Sequence, residues 1–523
     1  MKQTMRQHSF TAQLKSLAVV FGMALAFSSC ANEDVPQNPT KSNEDNDKNL
    51  TTFVTGGETR TSMDYSGNFY WEKDDYIYVK DDDGILRKST NAPTSKVATF
   101  TYTVPGKFTA NTSYKVYYFG KNSSNNQVVI PSAQSQSTPN NTEHFGVSGD
   151  YGTATATGTL GGKEFSFELE HQAAYLVFHP HVSNTLLQNC YLTKIEVSSD
   201  NDIASTYTLN ASTGTLQSSS TGAATDKEII LSTKGSGAYA NGFPLTTVSD
   251  NVAVNGAYMV IKPGTHTLKV RYWLKDVSTG IEGTVTKAFK AFNYDVNNYY
   301  DIDGNLNIRD YDGDHYYMWD ALEQYWKGHE WWSANKDQPV LTGNTNTNYP
   351  KSNTDPRYYN EAFTNGVDNP ATHTPCKDLP NANEMTWYAA KGDPRWDKDE
   401  LWTTMGHLYK GGMWFKKKSQ ISGFNANTAE DGSDWRTTNK SRSCTASNTP
   451  PSAADASNYF YLPALGFYIS GRLFDIGNSG FYWSSSAAPW NSGNAYGLGF
   501  DSGNVGVYDA NSRNNGFRVG GFE

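Results

Sequence analysis

The chain has 523 residues, and 43 Lys plus Arg against 53 Asp plus Glu give a net charge of −10, which argues against a nucleic-acid partner. Hydrophobic residues are 37% and charged residues 18%, so much of the polar surface is neutral Asn, Ser, Thr and Gly, the profile of an extracellular β protein. With 14% aromatic residues, disorder throughout is excluded. The length admits about three domains. Two Trp precede residue 310 and 11 follow it, so a different kind of module begins there.

Lys2, Arg6 and Lys15 form a basic stretch ahead of an apolar run of 11 residues, Leu17 to Phe27, which is the length of a signal-peptide core and too short to span a bilayer. The ending Ser28-Ser29-Cys30 resembles a bacterial lipobox, with Phe27 where Leu is usual. The resemblance implies a lipoprotein signal peptide over residues 1–29, cleavage before Cys30, and a Cys30 thiol acylated into outer-membrane lipid. The alternative is an ordinary secretory signal with an incidental cysteine. Asn32-Glu33-Asp34 resembles the acidic tag that directs some lipoproteins to the outer surface. Residues 30–58 read as a polar tether carrying at most one short strand. Beyond Cys30 the cysteines are Cys190, Cys376 and Cys444, an odd count that argues against a disulfide framework. Cys376 with Cys444 is a candidate pair in an oxidising envelope, and Cys190 reads as a buried small hydrophobe.

From residue 69 to 300 period-two alternation dominates, as in Tyr114-Lys115-Val116-Tyr117-Tyr118-Phe119 and Leu268-Lys269-Val270-Arg271-Tyr272-Trp273-Leu274. Short strands without intervening helices predict two antiparallel β-sandwich domains, residues 59–180 and 181–309, with the boundary near His179-Pro180. Asp81-Asp82-Asp83-Gly84 reads as a hairpin turn. His179 and His181 share a strand face, but no third ligand stands at a metal spacing. Trp71 with Asp74-Asp75-Tyr76-Ile77-Tyr78-Val79, then Leu169 to Phe178, then Leu192 to Val197, resemble successive strands of the fimbrillin family of lipoprotein pilus subunits. That resemblance implies removal of the first strand by a trypsin-like protease and filling of the vacated groove by a strand of the next subunit. Arg60, followed by Thr61, fits the implied cleavage position; its other reading is a solvated tether arginine.

Asp310-Tyr311-Asp312-Gly313-Asp314 opens an aromatic-rich, loop-rich segment. Asn381, with Glu384 three positions on, predicts the start of a short helix. The order of Cys376-Lys377-Asp378-Leu379-Pro380, Tyr482-Trp483-Ser484-Ser485 and a final Arg513 and Arg518 resembles the Fibrobacter-type major paralogous domain, a relative of the C-type-lectin-like fold. The expectation is therefore a mainly β chain whose last part, 310–523 with its core at about 370–523, is an α+β, loop-rich, C-type-lectin-like domain. Trp483, in an apolar strand, reads as core. Trp490 lies in a polar loop where an indole has little to pack on. With Asn491, Asn494, Asp501, Asn504, Tyr508, Asn511 and Asn514 it supplies the flat ring and fixed amides and carboxylates a sugar site needs, although each Asn can equally serve a turn.

Neither a Glu-Pro-Asn nor a Trp-Asn-Asp triplet occurs, and no closing glutamate completes a calcium loop after Asp310, Asp312 and Asp314. No metal, calcium or other cofactor is expected. Metalloprotease, nucleophile-elbow and phosphate-loop motifs are absent, so the chain does not read as an enzyme. The resulting expectation is a tip pilin and adhesin, first an outer-membrane lipoprotein at the cell surface and then part of a fimbrium. The tip position follows because Phe517 to Gly521 read as folded into the last module rather than free to be donated. Its partners would be other pilus subunits through strand addition, a host or microbial glycan or surface protein, and outer-membrane lipid through Cys30. The alternative is a pilus anchor or a non-polymerising surface lipoprotein whose last domain contacts protein.

Overall fold

The computed structural model describes residues 5–9, 50–56, 62–63, 65, 69–121, 126–210, 213–219, 222–249, 251–362 and 370–523. Among the described residues strand accounts for 41% and helix for 8%, the mainly β character that the alternation predicts.

Residues 50–171 build an eight-stranded sheet with the order Leu86–Lys88, Tyr78–Lys80, Ser113–Tyr118, Gly152–Gly158, Glu164–Phe167, Leu50–Thr55, Thr101–Pro105, and with Glu170–His171 added beside Gly152–Gly158. The two ends of this sheet meet, since Thr90 N donates to Thr103 O at 2.8 Å. One sheet curling on itself thus replaces the expected pair of facing sheets. Its interior is filled by large rings: Trp71 stands edge-on to Tyr102 at 5.3 Å and to Tyr118 at 5.9 Å. The predicted turn at Asp81 forms, with Asp81 N donating to Ile85 O at 2.9 Å and Gly84 N to Asp81 O at 3.0 Å.

The chain passes to the next layers between His171 and Ala174. Asp150, wholly buried, fixes this crossing by accepting from the Tyr175 hydroxyl at 2.5 Å and from His171 Nδ1 at 2.8 Å. A four-stranded sheet then runs Met5–Ser9, Asn298–Asn305, Ala174–His181, Ala257–Ile261. A nine-stranded sheet runs Ala133–Ser135, Glu228–Ser232, Cys190–Ser199, Leu268–Asp276, Glu282–Ala288, Arg395–Thr404, His407–Lys416, Tyr459–Pro463, with Phe243–Pro244 beside Cys190–Ser199. The two enclose a shared core in which Phe178 meets Tyr272 edge-on at 6.0 Å. Cys190 is buried there, 2% exposed, among Leu187 and Leu192.

Two expectations are corrected here. The sheets are mixed rather than purely antiparallel, because Leu50–Thr55 runs parallel to Glu164–Phe167 and Ala174–His181 parallel to Asn298–Asn305. The boundary at His179-Pro180 falls inside the strand Ala174–His181, whose partners all belong to the second set of sheets. Pro180 is tolerated because the ladder to Ala257–Ile261 ends at Phe178, so no partner on that side needs its missing N–H.

The last part adds a six-stranded sheet in the order Tyr316–Tyr317, Phe517–Arg518, Gly480–Ala487, Asn494–Phe500, Asn504–Ser512, Arg442–Thr445. The helix Ala382–Lys391 begins where Asn381 and Glu384 predict it: Glu384 N donates to Asn381 Oδ1 at 3.0 Å and Asn381 N to Glu384 Oε2 at 2.9 Å. Trp483 is fully buried and stacks on Phe517 at 4.3 Å, as its apolar strand implies.

Candidate functional site

The strand Leu50–Thr55, placed by sequence in a tether, is an interior strand. It pairs parallel with Glu164–Phe167 and antiparallel with Thr101–Pro105, so that Phe53 lies opposite Phe165 on one side and Tyr102 on the other. Its alternation is that of a half-buried strand: Thr51, Phe53 and Thr55 are 6%, 0% and 5% exposed. The Phe53 ring stacks on Phe165 at 5.5 Å and meets Phe108 edge-on at 5.2 Å. Backbone bonds close both sides, Thr52 N to Lys163 O and Gly56 N to Phe167 O at 2.8 Å each, and Thr55 N to Phe100 O at 3.1 Å. Taking this strand out would leave two unpaired ladder edges and an aromatic-lined slot, a ready template for an added strand. Cys30, Arg60 and Thr61 lie outside the described residues. The slot-filling residues were missed at the sequence level, although Thr51-Thr52-Phe53-Val54-Thr55 carries the period-two signal.

The eight candidate ligand residues do not converge. The antiparallel pairing Asn494↔Ser512 and Phe500↔Val505 sets Trp490, Asn491, Asn494, Asn511 and Asn514 at one end of the hairpin, and Asp501 and Asn504 at the other. Tyr508 pairs with Gly497 between the two ends. At about 3.4 Å per residue the ends lie some 20 Å apart, too far for one small ligand. Several of these polar groups serve turns. Asp501 Oδ1 accepts from Gly503 N at 2.8 Å and Asn504 N at 2.9 Å, Asn491 Oδ1 from Gly493 N at 2.9 Å, and Asn511 Nδ2 donates to Tyr508 O at 2.7 Å. Trp490 itself is 61% exposed, as expected of a ring with little to pack on.

Cys376 and Cys444 are free thiols, so the candidate disulfide is not formed. Cys376 is buried beside Trp319 and accepts from Asp320 N at 3.3 Å, while Cys444 sits opposite Val505 in the ladder. Burial pushes the Cys376 thiol up to about 12. His179 Nε2 bonds Asp301 at 2.8 Å, and among the described residues no group of three or more His, Cys, Asp or Glu is placed to hold a metal.

The final strand is tied down. Phe517–Arg518 pairs with Tyr316–Tyr317, and Arg518 also with Tyr482. Phe522 packs against Tyr388, Phe460 and Tyr482, and the Tyr388 hydroxyl donates to Glu523 Oε1 at 3.0 Å.

No protein-family model matches the sequence, and no curated protein matches it. Among solved structures the chain is similar to a protein from Bacteroides ovatus ATCC 8483 assigned to cell adhesion, at 13% identity and a TM-score of 0.32, covering 49% of this chain and 91% of that one. It is also similar to the fimbrial anchor protein Mfa2 from Porphyromonas gingivalis, at 12% identity and a TM-score of 0.21, covering 46% and 82%. A fimbrial protein from Bacteroides ovatus ATCC 8483 matches at 11% identity and a TM-score of 0.21, covering 89% and 97%.

Proposed function

We propose that this chain is a non-enzymatic subunit of a bacterial surface pilus that accepts a strand from a neighbouring subunit and carries an adhesive module beyond residue 310. The single observation that supports it best is the place of Leu50–Thr55: the strand just ahead of Arg60 is an interior one, with Phe53 wholly buried. Cleavage after Arg60 would cut the covalent link between that strand and the rest of its own sheet. The slot could then be refilled by an extended segment with an aromatic residue at the Phe53 level. The strand Phe517–Arg518 is held inside the last module by its two partners, so it is not itself a segment to lend.

Mass spectrometry of the surface-assembled form tests the reading. A mature chain starting at Thr61 is the expected result. A chain that keeps an acylated Cys30 and the intact Leu50–Thr55 strand would instead make it a standing anchor, or a surface lipoprotein that never polymerises.

A further inference from the structure

Two tryptophans are strongly exposed among the described residues, Trp490 at 61% and Trp332 at 48%, and their surroundings differ. Trp490 stands on a turn whose Asn491 carboxamide oxygen is already engaged by Gly493 N. Trp332 lines an open cleft of about 540 Å³ with Tyr317, Leu322 and several charged side chains. We infer that this cleft, formed where the turns around Asp314, Leu322 and Glu330 meet Pro375, is the ligand site of the adhesive module and takes a neutral glycan. The inference rests on the adhesive reading above and gives it a place and a ligand class.

The size suits one or two sugar rings, within the usual range for small-ligand clefts. Trp332 offers a flat apolar face, held by Trp331 standing edge-on at 5.8 Å and 87°, and Trp331 N donates to Gln338 Oε1 at 3.2 Å. Leu322, 62% exposed, adds a second apolar contact on a turn fixed by Leu322 N and Glu323 N, both donating to Pro356 O at 3.1 Å. The polar groups are set in advance too. Glu330 is only 7% exposed and accepts from Gln324 Nε2 at 2.9 Å, while Gln324 Oε1 accepts from Trp326 N at 2.7 Å. Such an aromatic platform beside fixed carboxylate acceptors matches a sugar ring, whose C–H face stacks while its hydroxyls donate outward.

Charge sets the class. Asp314, Glu323 and Glu330 stand against Lys327, three carboxylates to one ammonium, and His315 is hydrogen-bonded to Asp314. A sialylated, sulfated or uronic-acid glycan would bring its own negative charge into this surplus, so neutral sugars are favoured.

The full chain should be titrated with lactose, chitotriose and mannotriose, and with sialyllactose as the acidic comparator, using saturation-transfer NMR at millimolar sugar. The expected result is binding of at least one neutral sugar over sialyllactose, weakened roughly tenfold by Trp332→Ala and unchanged by Trp490→Ala. Glu323→Lys, at a half-buried turn position, should shift the preference toward sialyllactose and serves as a second variant, its unfolding midpoint measured alongside and expected to stay unchanged. Binding lost in Trp490→Ala but kept in Trp332→Ala would overturn the cleft while leaving the adhesive reading intact. A preference for sialyllactose in the unaltered chain would overturn the ligand class, and no binding of any sugar would overturn both.

Discussion

Burial moves two titratable side chains in opposite directions, and each leaves a mark on the pH dependence of stability. His144 is 9% exposed and bonds the Tyr258 carbonyl through Nε2 at 3.0 Å; burial pushes its imidazole from 6.5 down to about 4. Between those values the unfolded chain binds the proton more tightly, so this contribution is whole above pH 6.5 and is lost as pH falls toward about 4. The fall corresponds to roughly 3 kcal/mol. Glu400 behaves in reverse. Burial, reinforced by the neighbouring Asp397, raises its carboxyl from 4.5 to about 7, so its contribution is whole below pH 4.5 and lost as pH rises through about 7. Urea midpoints measured across this shared range should therefore show His144→Gln flattening the acid limb and Glu400→Gln, which removes the opposing contribution, steepening it. An acid limb unchanged in His144→Gln would mean that the imidazole is not held neutral.

At the scale of single elements, what was legible in the sequence was what neighbouring residues decide among themselves. The capping box of Ala382–Lys391 is written in Asn381 and Glu384, the turn at Asp81 in an Asp run ending in Gly84, and the burial of Trp483 in its apolar strand. Pairing is not local, and there the sequence was silent. Period-two alternation shows that a strand exists but not which strand lies beside it, so one curled sheet and two facing ones look alike from the sequence. Leu50–Thr55 was hidden by its polar approach and by Gly56-Gly57 behind it, because the strands that bury it come some 50 and 110 residues later. The candidate ligand residues divide between two ends for the same reason: an antiparallel hairpin carries Asp501 and Asn504 away from Asn494 and Asn511. The Leu50–Thr55 assignment carries its own test. Phe53→Ala empties a site between Phe108 and Phe165 and should cost about 3–5 kcal/mol by denaturant unfolding of the uncleaved chain. A loss below about 1 kcal/mol, the scale of a surface change, would return the segment to a tether.

For the whole molecule the decisive feature is the joint between the second set of sheets and the module beyond residue 310, which the Trp count alone presents as separate bodies. The nine-stranded sheet runs through it, with Thr284 of Glu282–Ala288 paired to Glu400 of Arg395–Thr404. Leu401 and Leu408 belong to the core around Tyr272 and Val285, not to that of their own module. Arg271, 7% exposed, reaches across with Nη2 at 2.8 and 3.1 Å from the Asp397 oxygens, and Glu400 accepts from Thr284 Oγ1 and Thr286 N at 3.0 Å each. Gly283 lets the backbones close: a Cβ there would stand 2.5 Å from Asp399 O and 2.7 Å from Leu401 Cδ2. A joint so built makes the two bodies one folding unit. Since 11 of the 13 Trp lie beyond residue 310, fluorescence follows mainly the last module, while hydrogen exchange in Cys190–Ser199 and Leu268–Asp276 follows the other. In the unaltered chain the two signals should be lost together on heating. Arg271→Met strands Asp397 as an unpaired buried charge at a cost of about 3–5 kcal/mol, and Gly283→Val forces the strands apart without touching any charge. Both should make the fluorescence transition precede the loss of protection, whereas separate transitions already present in the unaltered chain would show that the shared sheet does not couple the two bodies.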